Sequence, residues 1–584
     1  MLKIFRYMRK RELGFIFLSI VFVVAQVWLD LKLPDYMSEV TMLVQTEGSK
    51  MSDIWTAGGK MLLCAFGSLI SAIIVGYFAA HVAAGFSSRL RSMVFNKVGS
   101  FSMGEINRFS TASLITRSTN DITQIQMIIA LGLQAMVKAP IMAVWAILKI
   151  LGKGWEWSLA TGTAVAFLIL VILVILIFAF PKFKKIQYLT DNLNRVTREN
   201  LTGIRVVRAY NAEEYQENKF GEANDTLTKT NLFVFRFMSI LAPSMSIVMS
   251  GISLAIYWIG AFLINSAAGI PDKMEVFSNM VVFSSYAVMV IMSFLMLAMI
   301  FILFPRAAVS AKRINEVLDT KSSIVDGSRE NIPNKGTVEF KNVSFRYPDA
   351  SENVIEGINF TANKGETVAF IGATGSGKSS LINLIPRLYD ATEGEVLVDG
   401  VNVKEFKLEE LNNKLGYVAQ KAVMFSGTVA SNVTYGTDKN SIDEEVKKAV
   451  EIAQGTEFVE KMPGNYEAPI AQGGTNISGG QKQRLAIARA VFRKPEIMIF
   501  DDSFSALDYK TDRILRSALK KNTKDTTNII VAQRIGTIKD ADKIIVLDDG
   551  KMAGMGTHSE LLKNCEVYRQ IALSQLSKEE LENA

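Results

Sequence analysis

The chain has 584 residues, 49% of them hydrophobic, with a formal net charge of +7 and a mean hydropathy of +0.22. Only two cysteines (Cys64, Cys565) and two histidines (His81, His558) are present, far apart, which argues against a disulfide framework or a zinc site. Because the apolar residues gather before residue 306, the basic excess reads as Lys and Arg flanking membrane segments, and no nucleic acid is expected as a partner.

The N-terminus is short and basic (Lys3, Arg6, Arg9, Lys10, Arg11). The apolar run that follows, Leu13 to Leu29, is longer than a signal peptide's and leads into Asp30 and Lys32 without a small-residue cleavage site, so it reads as a retained first span. A hydrocarbon core about 30 Å thick needs about 20 apolar residues in a helix. Six windows qualify: Leu13–Leu33, Ile54–Gly85, Met127–Leu151, Trp157–Phe180, Val234–Asn265 and Val276–Phe304. The fourth contains AFLILVILVILIFAF, without a charge. A soluble helix that apolar would need protein on every side.

Orientation follows the basic residues. Tyr36–Asp53 carries Lys50 alone against Glu39, Glu47 and Asp53. Pro181–Asn231 carries Lys182, Lys184, Lys185, Arg195, Arg198, Arg205, Arg208, Lys219 and Lys229. Both termini are therefore expected in the cytoplasm, on a multi-pass protein of the cell membrane. Trp155 and Trp157 sit where an interfacial aromatic pair is expected. Two polar segments, Ser87–Gln126 and Pro181–Phe233, are too long for structureless loops and predict helical hairpins that continue the spans into the cytosol. Inside the spans, Lys138 has two readings, a partner within the bundle or a side chain snorkelling to the interface; Arg236 favours the second.

The predicted membrane domain covers 1–305, a linker 306–335, a cytoplasmic domain 336–576 and a tail 577–584. From Gly336 onward, β-rich runs (GETVAFIG, IMIFDD, NIIVAQ, KIIVLDDG) alternate with helical patterns, which predicts a mostly parallel sheet with flanking helices. GATGSGKSS, Gly372 to Ser380, follows the strand ETVAFI and fits the phosphate-loop pattern. Its glycines, Gly372, Gly375 and Gly377, let backbone N–H groups turn onto phosphate oxygens, and the next helix aims its positive end at them. Lys378 is expected to reach the β- and γ-phosphates and Ser379 to offer a hydroxyl to Mg²⁺, with Thr374, Ser376 and Ser380 completing an ATP-binding set. Asp501, ending the run IMIF, supplies a carboxylate for the metal.

With these motifs in order along the chain, the sequence resembles the half-transporters of the ATP-binding-cassette exporters, in which six membrane helices precede an α/β P-loop nucleotide-binding domain with a helical subdomain. ISGGQKQRLAIARA, from Ile477, resembles the family signature, with Ile for its first Leu. The resemblance implies that Ser478, Gly479, Gly480 and Gln481 face a nucleotide bound to a second subunit. It also implies that Tyr347 stacks on adenine, that Gln420 reaches the metal and the attacking water, and that Ser505 to Asp508 cross between the two sites. ITRSTND (Ile115 to Asp121) and ENLTGIRVVRAYNAEE (Glu199 to Glu214) resemble the family's two cytoplasmic hairpins, whose short coupling helices dock onto nucleotide-binding domains.

Two positions depart from the pattern. Asp502 stands where the family has the Glu that serves as general base, and its carboxylate is one methylene shorter. Gln533 stands where the family has a His on the γ-phosphate; Gln can hydrogen-bond but carries no positive charge. A weakened site beside an intact signature is the pattern expected of the degenerate half of a heterodimer, whose different partner chain brings the competent residues. The expected activity is ATP-driven export of small amphipathic compounds, drugs before lipids or peptides, by alternating access within membrane lipid. A membrane protein that senses ATP without transporting is the rival.

Overall fold

The computed structural model describes residues 2–151, 154–333, 335–437 and 444–575, and the expected tail 577–584 lies outside them. The chain divides into two units, Met1–Lys97 with Ala112–Thr320, and Val98–Thr111 with Lys321–Ala584.

In the first unit, six helices among the described residues are long and apolar enough to cross a membrane: Lys10–Gln45, Met51–Gly99, Thr111–Leu151, Trp155–Ala179, Glu213–Ser266 and Ile270–Leu297. Their outer faces carry exposed Phe17, Leu63, Ile73, Leu170, Ile177 and Phe262, an arrangement stable only where the surroundings are apolar. An inner cluster, including Val27, Val75, Ala146, Ile256 and Phe283, is sealed from the outside. The helices outrun the bilayer. At about 1.5 Å per residue, the 49-residue helix Met51–Gly99 is more than twice as long as a hydrocarbon core of about 30 Å is thick. The chain then turns through the short helix Met103–Phe109, which clusters with the second unit. The second hairpin runs from Trp155–Thr202 through Ile204–Ala209 to Glu213–Ser239. The last long helix continues to Asp319, so the first part of the segment 306–335 is helical.

Trp157 corrects one expectation. It is buried at 2% exposure, its indole N–H donates to the Ile256 carbonyl at 3.1 Å and its ring packs on Phe283. Only Trp155, 72% exposed, stands on the outside as the interfacial reading requires. The difference is that Trp157 finds a backbone acceptor inside the bundle, which removes its reason to stay near water.

Lys138 takes the first of its two readings. Its ammonium pairs with the Asp30 carboxylate at 3.0 Å, and the Ser68 hydroxyl donates to the same carboxylate. Nearby on the same helices, Lys149 pairs with Asp35 at 2.8 Å, and the buried Tyr286 hydroxyl donates to Asp35 at 2.6 Å.

The second unit is built on two larger sheets and one two-stranded sheet. The strands are β1 (Val338–Phe345), β2 (Ile355–Ala362), β3 (Thr367–Gly372), β4 (Glu393–Val398), β5 (Val401–Asn402), β6 (Leu415–Val418), β7 (Gly427–Thr428), β8 (Pro469–Ile470), β9 (Ile497–Asp501), β10 (Thr527–Val531), β11 (Lys543–Asp548) and β12 (Lys551–Gly556). The larger sheet has the order β12-β11-β3-β10-β9-β6, parallel except at β12; β2-β1-β4-β5 form an antiparallel sheet. β3 and β9 are buried along nearly their whole length, which is why their sequences are continuous apolar runs rather than alternating ones. Parallel pairing sets Val531 of β10 beside both Phe370 of β3 and Asp501 of β9. The segments that follow β3, β9 and β10 therefore leave from one carboxyl edge, where open α/β sheets bind ligands.

Candidate nucleotide site

Between β3 and the helix Lys378–Ile382 the chain makes the turn predicted for phosphate. Gly377 adopts φ +91°, and a Cβ there would lie 2.5 Å from Ile355 Cγ2 and 2.8 Å from the Val354 carbonyl, so no side chain fits. Gly375 shares the φ of +91° but faces open space; its requirement is conformational rather than steric. Lys378 is 8% exposed, and its ammonium donates to the carbonyls of Gly372 (2.8 Å) and Ala373 (2.7 Å) and to Ser376 Oγ (3.2 Å). These acceptors are neutral. Burial pulls the Lys378 pKa down, and the charges of Asp502 and Asp501 only partly oppose this. A buried cation held by neutral oxygens suits an anionic ligand.

Asp501 accepts the Ser379 hydroxyl at 2.7 Å. Burial raises its pKa, and the neighbouring Asp502 charge adds to the rise against the Ser379 bond and Lys378. A hydroxyl and a carboxylate side by side are hard oxygen donors of the kind Mg²⁺ takes, with phosphate oxygens and waters filling its remaining positions.

Asp502 is 8% exposed and sits in the left-handed region at φ +46°. Asp tolerates that conformation better than longer side chains do. Its N–H donates to the Val531 carbonyl at 3.0 Å, which ties the turn to β10. Its carboxylate accepts from the Gln533 amide at 3.0 Å; burial raises its pKa, and the neighbouring Ser505 and Gln420 side chains and the charges of Lys378 and Arg534 oppose the rise. Ser505 Oγ donates to the Asp502 carbonyl at 2.8 Å. The fold thus joins Asp502, Gln420, Gln533 and Ser505, four residues scattered over more than a hundred positions.

At the other end, the Tyr347 hydroxyl shares a hydrogen bond of 2.9 Å with Ser380 Oγ. The Tyr347 ring stands edge-on to Phe345 and, at 90°, to Tyr389, whose hydroxyl accepts from Asn107 at 3.1 Å. Thr374 is exposed on the loop's outer turn.

Two family models match: the ABC transporter transmembrane region over residues 16–285 and the ABC transporter over residues 355–505. An uncharacterized ABC transporter ATP-binding protein of Mycobacterium tuberculosis is 39% identical over 522 residues, covering 88% of this chain and 87% of the relative. The chain belongs to the ABC transporter family. An ATP-dependent lipid A-core flippase of Pseudomonas aeruginosa is 29% identical, covering 86% of this chain and 82% of its own length. In fold, the chain is similar to a bacterial Atm1-family ABC exporter with ATP bound, at a TM-score of 0.78 and 23% identity, covering 97% of this chain and 100% of that one. This ABC protein thus carries its membrane and nucleotide-binding regions on one chain, has the fold of an exporter, spans the membrane several times, and has the ATP and Mg²⁺ chemistry of ABC ATPases. ABC exporters function as dimers.

The signature segment has a structure of its own. Ser478 caps the helix Gly479–Phe492: its side chain accepts from the Gln481 N–H at 3.3 Å, while Gln481 Oε1 accepts from the Ser478 N–H at 2.8 Å. Gly480 passes close to the inter-site loop; a Cβ there would lie 3.4 Å from the Ala506 carbonyl. Among the described residues, no hydrogen bond joins Ser478, Gly479, Gly480 or Gln481 to the phosphate loop. Asp508, at the end of the inter-site loop, caps the helix Tyr509–Asn522 by accepting from the Thr511 N–H at 2.9 Å.

Three residues that sequence reasoning passed over also hold the site. Gln483, 3% exposed, donates to the Ala419 carbonyl at 3.2 Å and so braces the loop that presents Gln420. Ser503 donates to the Val418 carbonyl at 2.9 Å. Gln575, from the C-terminal helix Glu566–Gln575, donates to the Gln533 carbonyl at 2.8 Å. Gln483 lies inside the signature match, but nothing in that pattern says which glutamine turns inward. Gln575 gives no signal, since its contact spans 42 positions.

Proposed function

We propose that this chain is the hydrolytically weakened half of a heterodimeric exporter of small amphipathic compounds, probed best as multidrug efflux. The observation that carries the reading is the Asp502 carboxylate, the general-base position, engaged by the Gln533 amide at 3.0 Å on a left-handed residue. A short carboxylate committed to an amide is poorly placed to take a proton from water, and misplacement of about 1 Å can cost about 10²-fold. In this reading Lys378 and the loop 372–380 bind ATP, Tyr347 stacks on the base, Ser379, Asp501 and Gln420 hold Mg²⁺, and Gln533 faces the γ-phosphate. Ser478 to Gln481 complete the site on a different partner chain, and Ser505 to Asp508 link the two sites. Lys and Arg in the hairpins support cytoplasmic termini, in a reading with a membrane domain over 1–305, a linker over 306–335 and a nucleotide-binding domain over 336–576. ATP closes the nucleotide domains, the hairpins carry that motion, and the spans switch from inward- to outward-facing.

The test is made on the two chains reconstituted in vesicles. D502E with Q533H should raise hydrolysis at this chain's own site about 10-fold or more, the gain limited by the cost of placing Glu at the left-handed residue. Unchanged turnover would sink the weakened-site reading. ATP-dependent accumulation of an amphipathic dye is expected from the unaltered pair; nucleotide binding without flux would replace export by sensing. Lipid export is the second reading, favoured by the likeness to the lipid A-core flippase.

A further inference from the structure

We infer that Gln575 is a positioning residue for the γ-phosphate contact, acting from the C-terminal helix through the loop that carries Gln533. Where β10 ends at Val531, the sheet no longer serves the backbone. The Ala532 N–H still finds the Phe370 carbonyl at 3.1 Å. The next carbonyl, that of Gln533, and the N–H of Ile535, first residue of the helix Ile535–Ile538, have no partner in sheet or helix. One side chain serves both: Gln575 Nε2 donates to the Gln533 carbonyl at 2.8 Å, and its Oε1 accepts from the Ile535 N–H at 2.9 Å. The two bonds straddle Arg534 and pin the loop at both ends. Beyond that clasp, the Gln533 amide reaches Asp502 Oδ2 at 3.0 Å. A tail residue therefore fixes the backbone from which the switch-position amide extends.

Gln575 is exposed, so water can replace its bonds and folding does not depend on it. What water cannot replace is the fixed position of a neutral amide that, with one N–H held by Asp502, has one left to offer a phosphate oxygen. A His at 533 would add a charge and tolerate more displacement, so this departure from the family pattern makes the clasp matter more here. The inference rests on the reading of Gln533 as facing the γ-phosphate.

That dependence supplies the readout, because ADP lacks the γ-phosphate. Equilibrium binding of Mg²⁺-ATP and of Mg²⁺-ADP is measured on the purified full-length chain in lipid nanodiscs. Q575A should weaken ATP about 3–10-fold, the worth of one hydrogen bond, and leave ADP and the melting temperature unchanged. Q575E, which keeps the acceptor for Ile535 but sets a carboxylate oxygen against the Gln533 carbonyl, should weaken ATP at least as much as Q575A. Q533A should weaken ATP alike, and Q533A with Q575A should be no worse than Q533A alone, since the two act in series. Equal loss of ATP and ADP, an unchanged ATP affinity in Q575A, or additive losses in the double variant would each overturn the inference. If the unaltered chain bound neither nucleotide, the proposed site itself would fall, and this inference with it.

Discussion

The membrane unit and the nucleotide-binding unit use charge in opposite ways. In the first, half-buried acids and bases among apolar helices are matched: Asp30 with Lys138 at 3.0 Å, and Asp35 with Lys149 at 2.8 Å. In the second, Lys378 is buried against neutral oxygens, and Asp501 and Asp502 stand next to each other with raised pKa values. The same unit pairs a buried cation with acids where no ligand is due: Lys414 reaches Asp399 at 2.9 Å and Glu496 at 3.0 Å. A matched pair holds helices or loops together. An unmatched cation beside unmatched acids marks the place where a polyphosphate and a divalent cation belong.

The sharpest way to break this contrast is to remove the unmatched cation. K378A should lower ATP affinity about 10²–10³-fold, the scale of losing a preorganised donor to a charged oxygen, with the melting temperature unchanged or raised. Nucleotide binding by titration calorimetry checks it; a drop in stability equal to the loss of binding would mean that Lys378 is structural.

The matched pair should behave the other way. D30N leaves Lys138 unpaired within the bilayer, at a cost of about 2.5–3.5 kcal/mol, read as a lower melting temperature in detergent. D30N with K138Q should recover most of it, because no charge is then left alone. If the double variant melts as low as D30N, the pairing does not account for the stability of the membrane helices.

Ser478 tests whether one side chain serves two sites. S478A should cost this chain about 1 kcal/mol through loss of the helix cap, and slow hydrolysis at the partner's site in the reconstituted pair. S478G should restore the cap to within a few tenths of a kcal/mol while leaving hydrolysis slow. A full rate in S478A would remove the cross-subunit assignment.

The smallest effect is a pH dependence. Burial raises the pKa values of Asp501 and Asp502, so both bind protons at a pH where free aspartate is ionised. Mg²⁺ needs the carboxylate, so its affinity should fall as pH drops toward the ordinary aspartate value of about 3.9, with the fall starting at a higher pH than a free aspartate would give. D501N should abolish most of that slope; a slope unchanged in D501N would assign it to another group.

The contrast was half visible in the sequence. Lys378, Ser379 and Asp501 were legible because a phosphate loop needs particular residues at fixed spacing between a strand and a helix. Lys138 was visible as an anomaly but not as a pair, because Asp30 lies 108 positions away and only helix packing brings the two together. Trp157 was misplaced for a related reason: its acceptor, the Ile256 carbonyl, lies on another helix. The substitutions at 502 and 533 could be read off, but not that the two side chains bind each other, nor that residue 502 takes a left-handed conformation suited to Asp.

The sequence by itself determined what depends on short-range periodicity and local turn chemistry: six helices long enough to cross a bilayer, a parallel sheet and its phosphate loop, and the absence of Glu and His at two positions. Tertiary structure alone decided which charges are matched, which amide holds Asp502, and which tail residue holds the switch loop. These depend on groups that meet across tens to hundreds of residues, and no local preference encodes a hydrogen bond whose partner arrives only when sheets and helices pack.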